Sequence, residues 1–320
     1  EYLGYTLGRP RYEPNECRKL KYSYAFPLRA RIALRRGSER TEEDIFLGEI
    51  PVMMGGGEFI VNGSERCIVA QLHRSPGIDF SVDFHTGDKK LHSARIIPER
   101  GSWIEISVSG KGMLQVRIDQ QSKFSALTLL RALQPTGIEE GTTDEILRLF
   151  YPVEVISRAK LSKPKFAKAI EGKKALGQIR DLKTGEVWAD PGQEITPEAA
   201  ERIAASDLKE VELLGNAEDN LILDSLKEDT ATTHEEALAA IYQKLRPGNP
   251  VQLEKARDLL RDRFFDAQRY SLGRVGRFRI SRKFGRPEEA DKGPTTLQPD
   301  DFLVAVKYLL GLRSGVGEVD

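Results

Sequence analysis

Arginines interleaved with apolar side chains are the main chemical resource of this 320-residue chain. In Gly276-Arg277-Phe278-Arg279-Ile280-Ser281-Arg282 the two classes alternate. Read with a period of two, Phe278 and Ile280 anchor a strand in a core while Arg277 and Arg279 project outward together. Guanidinium groups so presented make charge-assisted, often bidentate hydrogen bonds to phosphates. Arg74 follows His73 just before Pro76-Gly77 turns the chain, and Trp103 follows Gly101-Ser102 beside Arg100. Two readings of Trp103 stand at this level. An indole at a strand edge stacks on an unpaired base, worth about 1–3 kcal/mol per base, or it is packed in the core.

Other chemistries leave no trace. The histidines His73, His85, His92 and His234 have no obvious nucleophile and no paired metal-ligand spacing, and no HExxH or GxSxG motif is present. A triad assembled only in space would leave no such signature. Cys17 and Cys67 are far apart and lack a CxxC partner, so a zinc site is not expected and both read as buried or free thiols of a reducing compartment. Gly55-Gly56-Gly57 lacks the Lys-Ser/Thr of a phosphate-binding loop and reads as a tight turn. Asn62-Gly63 is hairpin-turn chemistry.

The elements that must position these residues are mixed. Residues 24–36 alternate, with Leu28, Ala30, Ile32 and Leu34 on one face and Arg29, Arg31 and Arg35 on the other. Phe59-Ile60-Val61 and Cys67-Ile68-Val69 flank Asn62-Gly63 as a hairpin. From His92 to Ile118 the pattern is β, with Trp103, Glu105 and Ser107 opposite Ile104, Ile106 and Val108. Helical spacing follows at Leu127, Leu130 and Leu133, and Thr142 with Glu145 forms a capping box. Helices are predicted to open at Thr196-Pro197 and at Thr233, to run from Val251 to Phe265, and to close the chain after an Asp300 or Asp301 cap, ending at Gly311. The stretches 226–233 and 287–299 read as polar, mobile loops. The fold class is α+β, as a small mostly-β portion over 1–70 and a larger mixed domain over 71–320, with an insertion-like unit around 172–214.

The net charge is zero, so the distribution of charge matters more than its total. Arg269, Arg274, Arg277, Arg279, Arg282, Lys283 and Arg286 occur in a stretch with no acidic residue, whereas acidic residues concentrate around Glu194 to Glu236. Such separation suits local contact with a polyanion. The 39% hydrophobic and 31% charged fractions are those of a soluble folded protein. No apolar run approaches the roughly 20 residues of a membrane span. Glu1 opens the chain without Met, and the end at Gly317-Glu318-Val319-Asp320 is abrupt, the pattern expected of part of a longer polypeptide.

Several blocks together resemble the beta subunit of bacterial DNA-dependent RNA polymerase. These are Gly48-Glu49-Ile50-Pro51, Asn62-Gly63-Ser64-Glu65-Arg66, Gln71-Leu72-His73-Arg74-Ser75-Pro76-Gly77, Arg95-Ile96-Ile97-Pro98, Arg100-Gly101-Ser102-Trp103, and Leu245-Arg246-Pro247-Gly248 with Tyr242. The resemblance implies a partial protrusion domain over 1–70 and a lobe domain over 71–320. It implies DNA contacts by Arg74, Trp103, Arg277 and Arg279, and an outer edge of the rifamycin pocket at Arg66, Val69 and Gln71. The strand Thr41, Glu42, Glu43, Asp44, Ile45 and Phe46 is implied to dock transcription-repair coupling or CarD-like factors by strand addition. The loop 226–233 takes the place of the gate loop. Implied partners are DNA and the alpha, beta prime, omega and sigma subunits. The implied setting is cytoplasmic, at the nucleoid, without a membrane. No catalytic residue, metal ligand or cofactor is implied within this chain, because the catalytic magnesium is held by the largest subunit.

One departure stands out. After Arg117-Ile118-Asp119, where the family often continues with arginines, this chain has Gln120, Gln121, Ser122 and Lys123. The expectation is a noncatalytic DNA-channel module of the polymerase, a nucleotidyltransferase only when assembled. The alternative is a protein-interaction scaffold that uses its basic faces and edge strand without touching DNA.

Overall fold

Asn62 and Gly63 both take positive φ, 51° and 79°, in the computed structural model. That is the backbone a two-residue type I′ hairpin requires, and Asn-Gly tolerates it best. The structure describes residues 1–85, 89–181, 183–216, 219–286 and 293–320. It divides into two compact units, Glu1–His73 and Arg74–Asp320.

The first unit contains β1 (Tyr2–Leu7), α1 (Pro14–Leu20), β2 (Ala25–Arg36), β3 (Glu39–Pro51), and the hairpin of β4 (Glu58–Val61) and β5 (Ser64–Cys67). β1, β2 and β3 form an antiparallel sheet in that order, so β3 is an edge. Its core is small: Cys17, Ala25, Ala30, Ala33 and Ile60 are buried. The alternation expected along β2 fails at its far end, where Ala33 is buried and Leu34 exposed. The irregularities of this sheet lie in the neighbouring strands, at Leu3 of β1 and Leu47 of β3, while β2 itself pairs without a skip against β3 from Arg29 to Arg36. Ile68 and Val69 lie beyond β5, exposed and outside the hairpin expected to include them.

The second unit is built on a five-stranded antiparallel sheet, ordered β10-β9-β8-β7-β6, of β6 (Gly77–His85), β7 (Lys89–Ile97), β8 (Ile104–Val108), β9 (Leu114–Ile118) and β10 (Phe124–Ser125). Alternation is strict on β8 and β9: Ile104, Ile106, Val108, Leu114, Val116 and Ile118 are buried, and the residues between them are not. Onto this apolar face packs α2 (Ala126–Leu133), every residue of which is buried. Next comes α3 (Thr143–Phe150), opened by the Thr142/Glu145 capping box.

A separate small core, built from residues between Phe166 and Leu213, joins α4 (Lys163–Ile170) to α5 (Pro197–Ala205). Around it lie two ladders. One pairs β11 (Val153–Ser157) with β14 (Glu210–Leu214), the other β12 (Ile179–Arg180) with β13 (Val187–Ala189). The main core is completed by α6 (Leu221–Leu226), α7 (His234–Leu245), α8 (Leu253–Phe264), α9 (Gly273–Lys283) and α10 (Pro299–Arg313). Helices and strands in several sheets make the chain α+β. Among the described residues, no helix is long and apolar enough to cross a membrane.

Three expectations are corrected. The segment 277–282 is helix, not strand, because the side chains that seek the core are Gly276, Arg277, Ile280 and Ser281, at helical spacing. The cap of α10 is Gln298, with Pro299 first in the helix and Asp301 closing a capping box at the third position. The helix passes through Gly311 to Arg313. The loop expected to be mobile at 226–233 is anchored instead: Asp229 and Arg131, each 1% exposed at the side chain, form an ion pair of 3.0 Å. Of the other expected mobile loop, residues 287–292 lie outside the described residues.

Candidate nucleic-acid interface

Strand register brings Trp103 and Arg74 to one end of the second unit's sheet. Gly77 pairs with Ile97, Ile96 with Ile104, and Ile104 with Ile118. The start of β6, the end of β7, the start of β8 and the end of β9 therefore share an edge. Trp103 directly precedes β8, and Arg74 lies three residues ahead of β6. Only β7 separates these strands, a spacing of roughly 9–10 Å.

The indole is held at the surface by its own backbone. Trp103 N donates to Asp119 Oδ1 at 2.9 Å, and Asp119 N donates to Trp103 O at 2.9 Å. Trp103 is 37% exposed, so the core-packing reading fails. Its face of the sheet continues as a charged row across three strands. Glu105 accepts from Arg117 Nε at 2.9 Å, and Arg95 Nε lies 3.3 Å from Glu105. Two guanidinium groups thus share one carboxylate. Arg100, which precedes the indole, donates to Ala267 O at 2.8 Å. Its backbone bridges to Ser271 in both directions, tying the Trp103 loop to the start of α9.

Arg279 builds the other side. Its Nη2 donates to Asp79 at 2.8 Å, and its Nη1 to the carbonyls of Ser75 and Pro76 at 3.1 and 3.2 Å. It holds the turn that presents Arg74, whose exposed guanidinium lies 4.0 Å from Asp79. Arg277 does not belong to this surface. It is 2% exposed and spends its guanidinium on Asp301 and on the carbonyls of Pro294 and Thr296. The expected outward pair of Arg277 and Arg279 is therefore corrected, because a helix turns adjacent odd positions about 200° apart, not onto one face.

Helical spacing would have found what the strand reading missed. Arg274, Phe278 and Arg282 recur at i, i+4 and i+8 and form the outer face of α9 with Val275. Phe278 and Arg282 also line a groove of about 590 Å³ whose charged lining mixes Arg279 and Lys283 with Glu318 and Asp320.

In the first unit, every residue from Thr41 to Phe46 is exposed on the edge strand β3, including the large apolar Ile45 and Phe46. Arg66 lies in β5 opposite Phe59, and Arg66, Val69 and Gln71 are all exposed. Among the described residues, no group of three or more His, Cys, Asp or Glu is placed to hold a metal ion.

Comparison with known proteins gives the family. Residues 215–320 match the family model described as RNA polymerase Rpb2, domain 2. Over 317 residues, 98% of the chain, it is 47% identical to the DNA-directed RNA polymerase subunit beta of Rhodopirellula baltica. The chain belongs to this family. The subunits beta of Chlamydia muridarum and Leptospira biflexa are 36% and 37% identical to it over 98% of its length. It spans about a quarter of the length of these beta subunits, 25%, 25% and 26% in turn. Within this beta-subunit stretch, the sheet end with Trp103 and Arg74 is a surface on which cations and an exposed aromatic ring occur together.

Proposed function

We propose that this chain forms a noncatalytic wall of the DNA channel in DNA-directed RNA polymerase. The second unit acts as the lobe and the first as part of the protrusion. Nucleotidyl transfer belongs to the assembled enzyme, with magnesium held by the largest subunit and alpha, beta prime, omega and sigma as partners in the bacterial cytoplasm. The supporting observation is the half-exposed Trp103 at the same sheet end as Arg74. An indole held at a surface by main-chain bonds costs little to order and presents a π-face to any base. Adjacent guanidinium groups neutralise phosphates and release counterions. Arg279 contributes by fixing the Ser75-Pro76 turn.

The test is the lifetime of the open promoter complex in polymerase carrying Trp103→Ala. Loss of one stacked base shortens it by about fivefold to more than a hundredfold, the equivalent of about 1–3 kcal/mol. An unchanged lifetime defeats the assignment of the indole.

The exposed edge of β3 supports a second contact, with protein. Its unpaired main-chain groups and the apolar Ile45 and Phe46 suit strand addition by a transcription factor of the repair-coupling or CarD-like kind. Arg66, Val69 and Gln71 are assigned to the outer edge of a rifamycin pocket that other parts of the enzyme complete.

A further inference from the structure

The outer face of α9 carries chemistry that the rest of the interface leaves unused. Arg274, Val275, Phe278 and Arg282 are exposed, with Phe278 at 47%, while Gly276, Arg277, Ile280 and Ser281 face the core. The cations on the other faces are committed: Arg277 to Asp301, Arg279 to Asp79 and Lys283 to Asp320. Arg274 and Arg282 take part in no ion pair among the described residues, and the helix has no acidic residue. From Arg274 to Arg282 is about two helical turns, roughly 12 Å along the axis.

We propose that Arg274, Phe278 and Arg282 form a track for unpaired DNA, with the two guanidinium groups on phosphates and the Phe278 ring under a base between them. This rests on the channel-wall reading above and extends it to residues that replace Arg277. Two features favour nucleic acid over a protein partner. Exposed apolar surface on the stripe is limited to Val275 and Phe278, far short of the apolar share, somewhat over half, of the roughly 800 Å² that each partner buries in a stable protein interface. The rest of the stripe is cationic with no carboxylate, which suits a polyanion. Placement agrees, since the start of α9 is bridged to the Trp103 loop and its middle holds the turn bearing Arg74.

The experiment is fluorescence anisotropy of the 320-residue chain with a labelled oligo-dT of about 12 nucleotides, a length within the usual single-strand site sizes. Salt is varied from about 50 to about 200 mM. Phe278→Ala weakens binding about tenfold and Phe278→Tyr preserves it. Arg274→Ala with Arg282→Ala lowers the slope of log affinity against log salt by about 1.4, from about 0.7 per lost phosphate, and the Lys pair restores it. All three positions are exposed, so melting temperatures stay at the parental value. Unchanged affinity and slope in the Ala variants overturn the proposal. So does an acidic peptide that depends on Phe278 when the oligonucleotide does not, since that outcome makes the stripe a protein-docking face. If Trp103→Ala weakens binding and the α9 variants do not, the track fails while the channel wall stands. If the parental chain binds no DNA, both fail.

Discussion

Arg277 and Asp301 meet as a buried two-point ion pair, Nη1 to Oδ1 at 2.8 Å and Nη2 to Oδ2 at 2.9 Å. The same Asp301 Oδ2 accepts from Gln298 N at 2.8 Å, closing the cap of α10. Arg277 therefore fastens α9 to the start of α10 through one carboxylate and the carbonyls of Pro294 and Thr296. Removing one partner of such a pair leaves a buried charge uncompensated, which costs about 3–5 kcal/mol. Arg277→Ala is expected to lower the urea midpoint sharply while leaving the salt slope of DNA binding unchanged. Parental stability with a reduced slope would return Arg277 to the DNA surface.

The Arg131–Asp229 pair makes a comparable forecast for the loop 226–233. Asp229 also accepts from Thr128 Oγ1 at 2.6 Å, and Arg131 donates to the carbonyls of Gly141 and Thr232. Asp229→Ala strands the Arg131 charge and unlatches the loop, again at about 3–5 kcal/mol. Amide hydrogen exchange from Lys227 to Thr232 is the readout, and it accelerates if the latch is what holds the loop.

Glu145 sets an acid limit on the cap of α3. Burial alone would raise its carboxyl pKa, but hydrogen bonds from the backbone of Glu140, Thr142, Glu139 and Gly141 outweigh burial and hold it below the usual range. A folded-state pKa below the unfolded value gives stability that is fully present above the unfolded pKa and is lost as pH falls through the folded one. Melting temperature followed downward from about pH 6 to about pH 3 should fall less steeply in Glu145→Gln. Identical slopes would mean that other carboxylates carry the acid sensitivity.

Gly101, two residues before Trp103, packs closely against Tyr270. Its φ is +126°, and a Cβ there would lie 2.5 Å from Tyr270 Cδ2. Gly101→Ala adds backbone strain and overpacking, together on the order of 2–4 kcal/mol. The expected result is a lowered melting temperature and altered Trp103 fluorescence. A variant with parental emission and stability would show that the loop adapts freely.

At the β3 edge, charge reversal at Glu42 or Glu43 is expected to weaken factor docking and leave basal transcription intact. Glu42 accepts from Arg31 at 3.2 Å across the strands, an exposed pair worth at most about 1 kcal/mol, so the sheet should survive. Equal loss of docking and transcription would argue against a dedicated docking edge.

Local order in the chain determined a good deal. Asn62-Gly63 specified a hairpin turn, Thr142 with Glu145 and Thr196-Pro197 specified helix starts, and the alternation from Ile104 to Val108 specified a strand, though not whether Trp103 beside it is exposed or packed. These are short-range effects, decided by φ preferences, capping bonds and side-chain period. Tertiary structure decided the rest. Gly276 to Arg282 satisfies a period of two and a period of 3.6 almost equally well, and it is Asp301, 24 residues on, with the carbonyls of Pro294 and Thr296, that makes Arg277 a core residue. Along β2, likewise, the burial of Ala33 and the exposure of Leu34 depart from the alternation that the strand shows by itself. A run of residues carries its own period, but which arginine faces water depends on where a distant carboxylate lies, because desolvating a guanidinium is tolerable only where a partner waits for it.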